Sequence, residues 1–183
     1  MDELSSYKDL AFYVTEKLDG TSVTYYLNNG EFGVCTRNLE LLETEENVYW
    51  KVAREGRIEE KLRAFGKNMA LQGEIIGSGV QQNIYSLKTQ EVLFFTVRFI
   101  DENKKANLAE FLGVLKALDL KMVPMVDNDF DMQNKTLKDL LDFADRPSLL
   151  NPKADAEGVV FRSKEKPGLS FKAISNQYLL KDS

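Results

Sequence analysis

The hydrophobic positions of the N-terminal part fall into short β-branched and aromatic runs separated by turn residues. Residues 11–18 (AFYVTEKL) and 21–27 (TSVTYYL) predict two strands. Asn28-Asn29-Gly30 is a turn signal, so 31–36 is predicted to return as a strand. Residues 44–62 predict a helix with a weak point at Gly56, and strands follow at 69–76 and 91–100, separated by a loop from Gly77 to Gln90. Over 107–118 the spacing changes: Leu108, Phe111, Leu112, Leu115 and Leu118 recur on one helical face, as do Leu137, Leu140, Leu141 and Ala144 over 136–144. The chain returns to strand at 157–162 and 169–174. Helices fill the connections without regular βαβ alternation, which predicts an α+β fold of mostly antiparallel sheets with flanking helices.

At 183 residues, 43% hydrophobic and 29% charged, the chain can bury a real core and is expected to form one domain, 1–183. Two scarcities narrow its chemistry. There is no histidine and one cysteine, Cys35, for which packing is the expected role. This excludes Ser-His-Asp and Cys-His nucleophiles, His-ligated metals, Cys clusters and internal disulfides. Catalysis must rest on Lys, Asp/Glu, Ser/Thr, Tyr or Arg, with an oxygen-liganded ion such as magnesium as a further candidate. The formal charge of −5 makes general nucleic-acid binding unfavourable without a local basic patch. No segment approaches the ~18 apolar residues of a membrane helix. Met1-Asp2-Glu3-Leu4 lacks a secretory pattern, so an intracellular, cytoplasmic and reducing setting is expected.

Lys17-Leu18-Asp19-Gly20 sits where a strand ends. A lysine there is held on a rigid element, and Gly20 allows close approach of ligand or backbone. Such a lysine serves as a nucleophile when burial or neighbouring cations favour its neutral form. Taken alone, it reads equally well as a surface lysine before an Asp-Gly turn. Four further residues stand with it: Arg37 after the second hairpin strand, Glu74 in Gly73-Glu74-Ile75-Ile76-Gly77, Glu157 opening Glu157-Gly158-Val159-Val160, and Lys172 in Phe171-Lys172-Ala173. Singly, Glu157 also reads as a turn carboxylate, Phe94 and Phe95 as core, and Arg98 as half of a structural ion pair. Lys164-Glu165-Lys166 reads as a solvated hairpin tip, and Tyr49, Trp50 and Arg54 as one side of a helix.

In this order, the motifs resemble those of the covalent nucleotidyltransferases, the polynucleotide ligases and mRNA capping enzymes. Gly33-Val34-Cys35-Thr36-Arg37-Asn38-Leu39-Glu40-Leu41, and Gly73-Glu74-Ile75-Ile76-Gly77 running into Gly79-Val80-Gln81-Gln82-Asn83-Ile84-Tyr85, are most similar to the ATP-dependent RNA ligases of the RNA-repair type. The resemblance spans residues 10–182. It implies an ATP-grasp-like ligase fold, with antiparallel sheets and flanking helices around a nucleotide cleft. Lys17 would form lysyl-AMP with ATP and release pyrophosphate, AMP would pass to an RNA 5′-phosphate, and an RNA 3′-hydroxyl would then displace it. Glu16 would contact the adenine edge, Asp19 and Gly20 would line the nucleotide, and Arg37 would hold the ribose or the RNA 5′-phosphate. Glu74 would accept from a ribose hydroxyl and Phe95 would stack on adenine, with Phe94 in reserve on the opposite face. Glu157 would help hold Mg2+ or Mn2+, and Lys172 would contact the α-phosphate.

The chain departs from the family pattern in three places. The closing motif often carries two alternating lysines, whereas here the earlier position is Ser170 and Lys172 stands alone. Thr96 replaces a common acidic residue after Phe95. The length leaves no room for the accessory module, often an OB fold, so a bare catalytic domain is expected. DNA ligase, GTP-dependent capping enzyme and a non-catalytic nucleotide- or RNA-end-binding module are the competing readings.

Overall fold

The computed structural model describes residues 6–181. Among these residues, fourteen elements follow in chain order. Strands β1 (Phe12–Lys17), β2 (Thr21–Asn28) and β3 (Glu31–Cys35) come first. Helices α1 (Val48–Glu55) and α2 (Ile58–Phe65) precede β4 (Met69–Gly77), β5 (Gln90–Phe99) and β6 (Lys104–Lys105). Then come α3 (Leu108–Leu118), β7 (Met125–Phe130), α4 (Leu137–Ala144), β8 (Gly158–Ser163), β9 (Ser170–Ile174) and α5 (Asn176–Lys181).

The expected α+β class holds, and the described chain divides into two compact units. The first combines the residues up to Asp19 with those from Pro124 onward, and the second runs Gly20–Val123. Each has its own antiparallel sheet and core. The first holds a four-stranded sheet ordered β7-β1-β8-β9, with a core of Phe12, Val14, Phe130, Val159 and Phe161. Phe161 stacks on Phe171 at 5.0 Å and meets Phe130 edge-on at 5.0 Å, arrangements that add to the area the rings bury. The second holds a five-stranded sheet ordered β3-β2-β4-β5-β6, packed under α1, α2 and α3 through Tyr25, Leu62, Leu71, Phe94 and Leu115.

The predicted helix over 44–62 is two helices. Asn47 caps the first, its side chain accepting from the N–H groups of Tyr49 and Trp50. The chain breaks at Gly56-Arg57, where Arg57 has φ +53°, and restarts at Ile58 so that Ile58 and Leu62 reach the core. Strand β7 was not expected from its sequence, Met-Val-Asp-Asn-Asp-Phe, whose three middle residues are of types depleted in strands. It forms because the edge of β1 supplies a ladder, with register shifts on either side of Val14. β6 and α5 also went unpredicted, being two and six residues long. No helix among the described residues is long and apolar enough to cross a membrane.

Candidate active site

In the first unit, strand register assembles the charged residues. Residues directly opposite in an antiparallel pair share a face. Lys17 lies opposite Gly158, Thr15 opposite Val160, and Val160 opposite Lys172, so Lys17, Thr15, Val160 and Lys172 occupy one face of the sheet. Lys17 Nζ donates to Glu157 Oε1 at 2.5 Å, with the two side chains 24% and 19% exposed. Glu157 reaches it from the residue before β8, where its carbonyl accepts from the Ser175 N–H at 2.9 Å. The glycine that follows is required there. A Cβ on Gly158 would stand 2.1 Å from the Ala173 carbonyl oxygen of β9. Lys172 is exposed, and Asp19 is buried two residues beyond Lys17.

Glu16 is placed differently from its expected adenine contact. Strand alternation turns it to the core face with Phe12 and Val14, opposite Lys17, and leaves it 2% exposed. Ser148 Oγ donates to its Oε1 at 2.6 Å and the Leu149 N–H to its Oε2 at 2.7 Å. Burial pushes this carboxyl above the ordinary glutamate range, while those two donors and the charge of Arg146 pull it back. The residues that do share Lys17's face are Thr15 and Tyr13, with Arg162 opposite Tyr13 and donating to Thr15 Oγ1 at 3.3 Å. Burial raises the Tyr13 phenol and lowers the Arg162 guanidinium. Sequence reading passed over this row, although counting back by twos from Lys17 along a predicted strand reaches it.

In the second unit, Gly20 begins the chain immediately before β2, and a Cβ there would stand 2.3 Å from the Ile75 carbonyl oxygen and 2.9 Å from Glu74 Cγ. Glu74 lies half-buried in β4 between Ser22 and Leu93. Strand β5 bulges at Phe95. Thr96 pairs with Gln72 and Phe94 with Gly73, leaving Phe95 as the extra residue. Phe94 is fully buried, edge-on to Tyr25 at 6.2 Å, which removes it as the reserve stacking residue, while Phe95 is half-buried. Arg37 stands exposed in a bend after β3, closed by Thr36 N–H to the Leu39 carbonyl at 2.8 Å.

A family model described as RNA ligase matches residues 10–174. The chain belongs to the RNA ligase family. Comparison with curated proteins finds no match. Solved structures of a Naegleria gruberi RNA ligase are similar along almost the whole chain. A lysine-to-alanine variant with ATP and manganese is 39% identical at a TM-score of 0.92, covering 98% of this chain and 54% of that one. A lysine-to-methionine variant with AMP and manganese gives the same identity, TM-score and coverage. The form with pyrophosphate is 40% identical at a TM-score of 0.92, covering 98% of this chain and 53% of that one. This chain thus spans about half the length of these ligase chains.

Within the RNA ligase family chain, several residues have structural duties. Trp50 Nε1 donates to the Leu41 carbonyl at 2.9 Å, and Arg54 lies over the Trp50 ring while bonding Glu43 and Glu59. Arg98 donates a hydrogen bond to Asn103. The Lys164-Glu165-Lys166 tip is tied down. Lys164 pairs with Asp129 at 2.7 Å, and the Glu165 carboxylate accepts from the Ala11 N–H at 3.1 Å. In the 79–85 stretch, Val80 and Tyr85 are buried, and Asn83 exchanges two hydrogen bonds with the Leu87 backbone at 2.9 and 3.1 Å. Cys35 is half-buried, and burial raises its thiol.

Proposed function

We propose that this chain is the adenylyltransferase domain of an ATP-dependent RNA ligase, with Lys17 as the nucleophile. The observation that carries the reading is the Lys17–Glu157 pair at 2.5 Å on a sheet face that also bears Lys172. An amine, a carboxylate and a second cation on one rigid face suit displacement at phosphorus, which needs aligned reactants and stabilised charge. Lys17 must shed its proton and its carboxylate partner before it can attack. A P–N bond to the α-phosphorus of ATP then forms as the bond to the bridging oxygen breaks, and pyrophosphate leaves with the electron pair. AMP passes from lysine to an RNA 5′-phosphate, and an RNA 3′-hydroxyl displaces AMP to seal the ends. ATP, AMP and pyrophosphate, the ligands of the Naegleria ligase structures, are the substrate, transferred group and leaving group of the first step.

The remaining roles belong to the same proposal. Lys172 contacts the α-phosphate, Glu74 the ribose, Phe95 the base, and Arg37 the ribose or RNA 5′-phosphate, while Asp19 and Gly20 line the nucleotide. A hydrated Mg2+ or Mn2+ needs only one or two carboxylates beside phosphate oxygens, and Glu157 would supply the carboxylate. Such an ion, when bound, offsets phosphate charge. An accessory module, of OB type by resemblance, is the proposed partner for end joining.

The test is incubation with α-labelled ATP or GTP and magnesium, followed by denaturation. Label from ATP that disappears in Lys17→Ala supports the reading, and label from GTP alone supports capping. No label from either nucleotide, with magnesium or manganese, overturns it in favour of a binding module.

A further inference from the structure

Glu16 and Lys17 are consecutive, point to opposite faces of β1, and are each held by one end of the same loop. Ser148 and Leu149, at the loop's start, bond the Glu16 carboxylate, and Glu157, just beyond its end, bonds the Lys17 amine. The loop between is closed on itself. Ser148 N–H donates to the Ala154 carbonyl at 2.9 Å, Ala156 N–H to the Arg146 carbonyl at 3.0 Å, and Pro147 bridges Asp155. Ser148 Oγ also accepts from the Leu150 N–H at 3.1 Å while donating to Glu16, so its hydroxyl is directed. Ser148 is 1% exposed and Glu16 2%. A short closed loop moves as a unit, so displacing the arm at 146–148 displaces 154–156 and with it the root of Glu157.

We propose that Ser148 is a positioning residue which, through Glu16 and the closed 146–156 loop, sets the Glu157 carboxylate against the Lys17 amine. The chemistry of the tie is specific. An ionised carboxylate accepts at both oxygens, and both of its partners here are donors. In Glu16→Gln one of those donors faces an amide NH2, and in Ser148→Ala the hydroxyl donor is gone. In both variants the loop loses one of its two ties to Glu16, and a buried polar group goes unsatisfied.

The pair itself is read without nucleotide. Lys17 acetylation by a limiting anhydride is followed by peptide mass spectrometry, with the other lysines as internal reference. An ammonium held by a carboxylate accepts an acyl group poorly. The expected result is a severalfold rise at Lys17 alone in Glu157→Gln, and a comparable rise in Ser148→Ala and in Glu16→Gln, each with its circular dichroism retained. Lys17 acetylation that rises in Glu157→Gln and stays at the wild-type level in folded Ser148→Ala or Glu16→Gln overturns the proposal. The consequence for rate rests on the reading of Lys17 as nucleophile. Single-turnover labelling at saturating ATP is expected to fall about 10- to 100-fold in Ser148→Ala, with half-saturation little changed, as expected for misplacement rather than lost binding. A wild-type chain that takes no label defeats the proposed function and leaves the acetylation result standing on its own.

Discussion

The two units mount their candidate site residues in different ways. In the first, the ladders of β1, β8 and β9 pair Lys17 with Gly158 and Lys172 with Val160, and the Lys17 amine meets a carboxylate at 2.5 Å. In the second, Arg37 stands exposed in a bend and Phe95 rides a bulge, leaving Glu74 in a regular ladder. Bond-making tolerates little misplacement, and a central strand supplies the stiffest mounting a small protein offers. Arg37, proposed to hold the ribose or an RNA end, works from the softer support of an exposed bend.

The sharpest test of that contrast sets Lys17→Ala against Glu74→Ala. The first is expected to abolish labelling by ATP. The second is expected to raise the ATP concentration for half-maximal labelling about tenfold while the saturating rate changes much less, as for a group that binds in ground and transition state alike. Total loss in Glu74→Ala would erase the distinction between the units.

The cores come next. Phe161→Ala in the first unit and Phe94→Ala in the second are each expected to cost about 3–5 kcal/mol in urea unfolding, since both rings are fully buried. Trp50 belongs to the second core, so its fluorescence should register Phe94→Ala more strongly than Phe161→Ala. Equal shifts would mean that the two units unfold as one. Gly158→Ala is expected to destabilise by about 1–3 kcal/mol, because its methyl group meets the Ala173 carbonyl, and to speed amide exchange along β8 and β9. The smallest effect belongs to the capping box of α3, where Asn107 accepts from the Glu110 N–H at 2.9 Å and Glu110 accepts from the Asn107 N–H. Asn107→Ala is expected to cost about 1 kcal/mol, read as a shift in the urea midpoint with unchanged labelling.

Local chemistry accounts for what could be read in advance. The β2–β3 hairpin follows from Asn29-Gly30 and the α3 and α4 helices from spaced leucines, while short motifs in order marked Lys17, Glu157 and Lys172 as candidates. Where tertiary packing overrides local preference, the reading failed. β7 has poor strand composition and exists because β1 offers an unpaired edge. The Gly56 weak point became a full break because Ile58 and Leu62 had to turn to the core.

Glu16 shows the same division within a single residue. The family resemblance implied an adenine contact, yet the direction of Glu16 is set by strand alternation, and its partners Ser148 and Leu149 lie 132 and 133 positions away. Sequence alone determined the α+β class and the family, because propensity and motif are properties of neighbouring residues. Which phenylalanine lines the core, which face Glu16 takes, and that Glu157 rather than another carboxylate meets Lys17 were decided by the tertiary structure. Bulges, strand pairing and loop closure join distant residues, and those couplings leave no local mark in the chain.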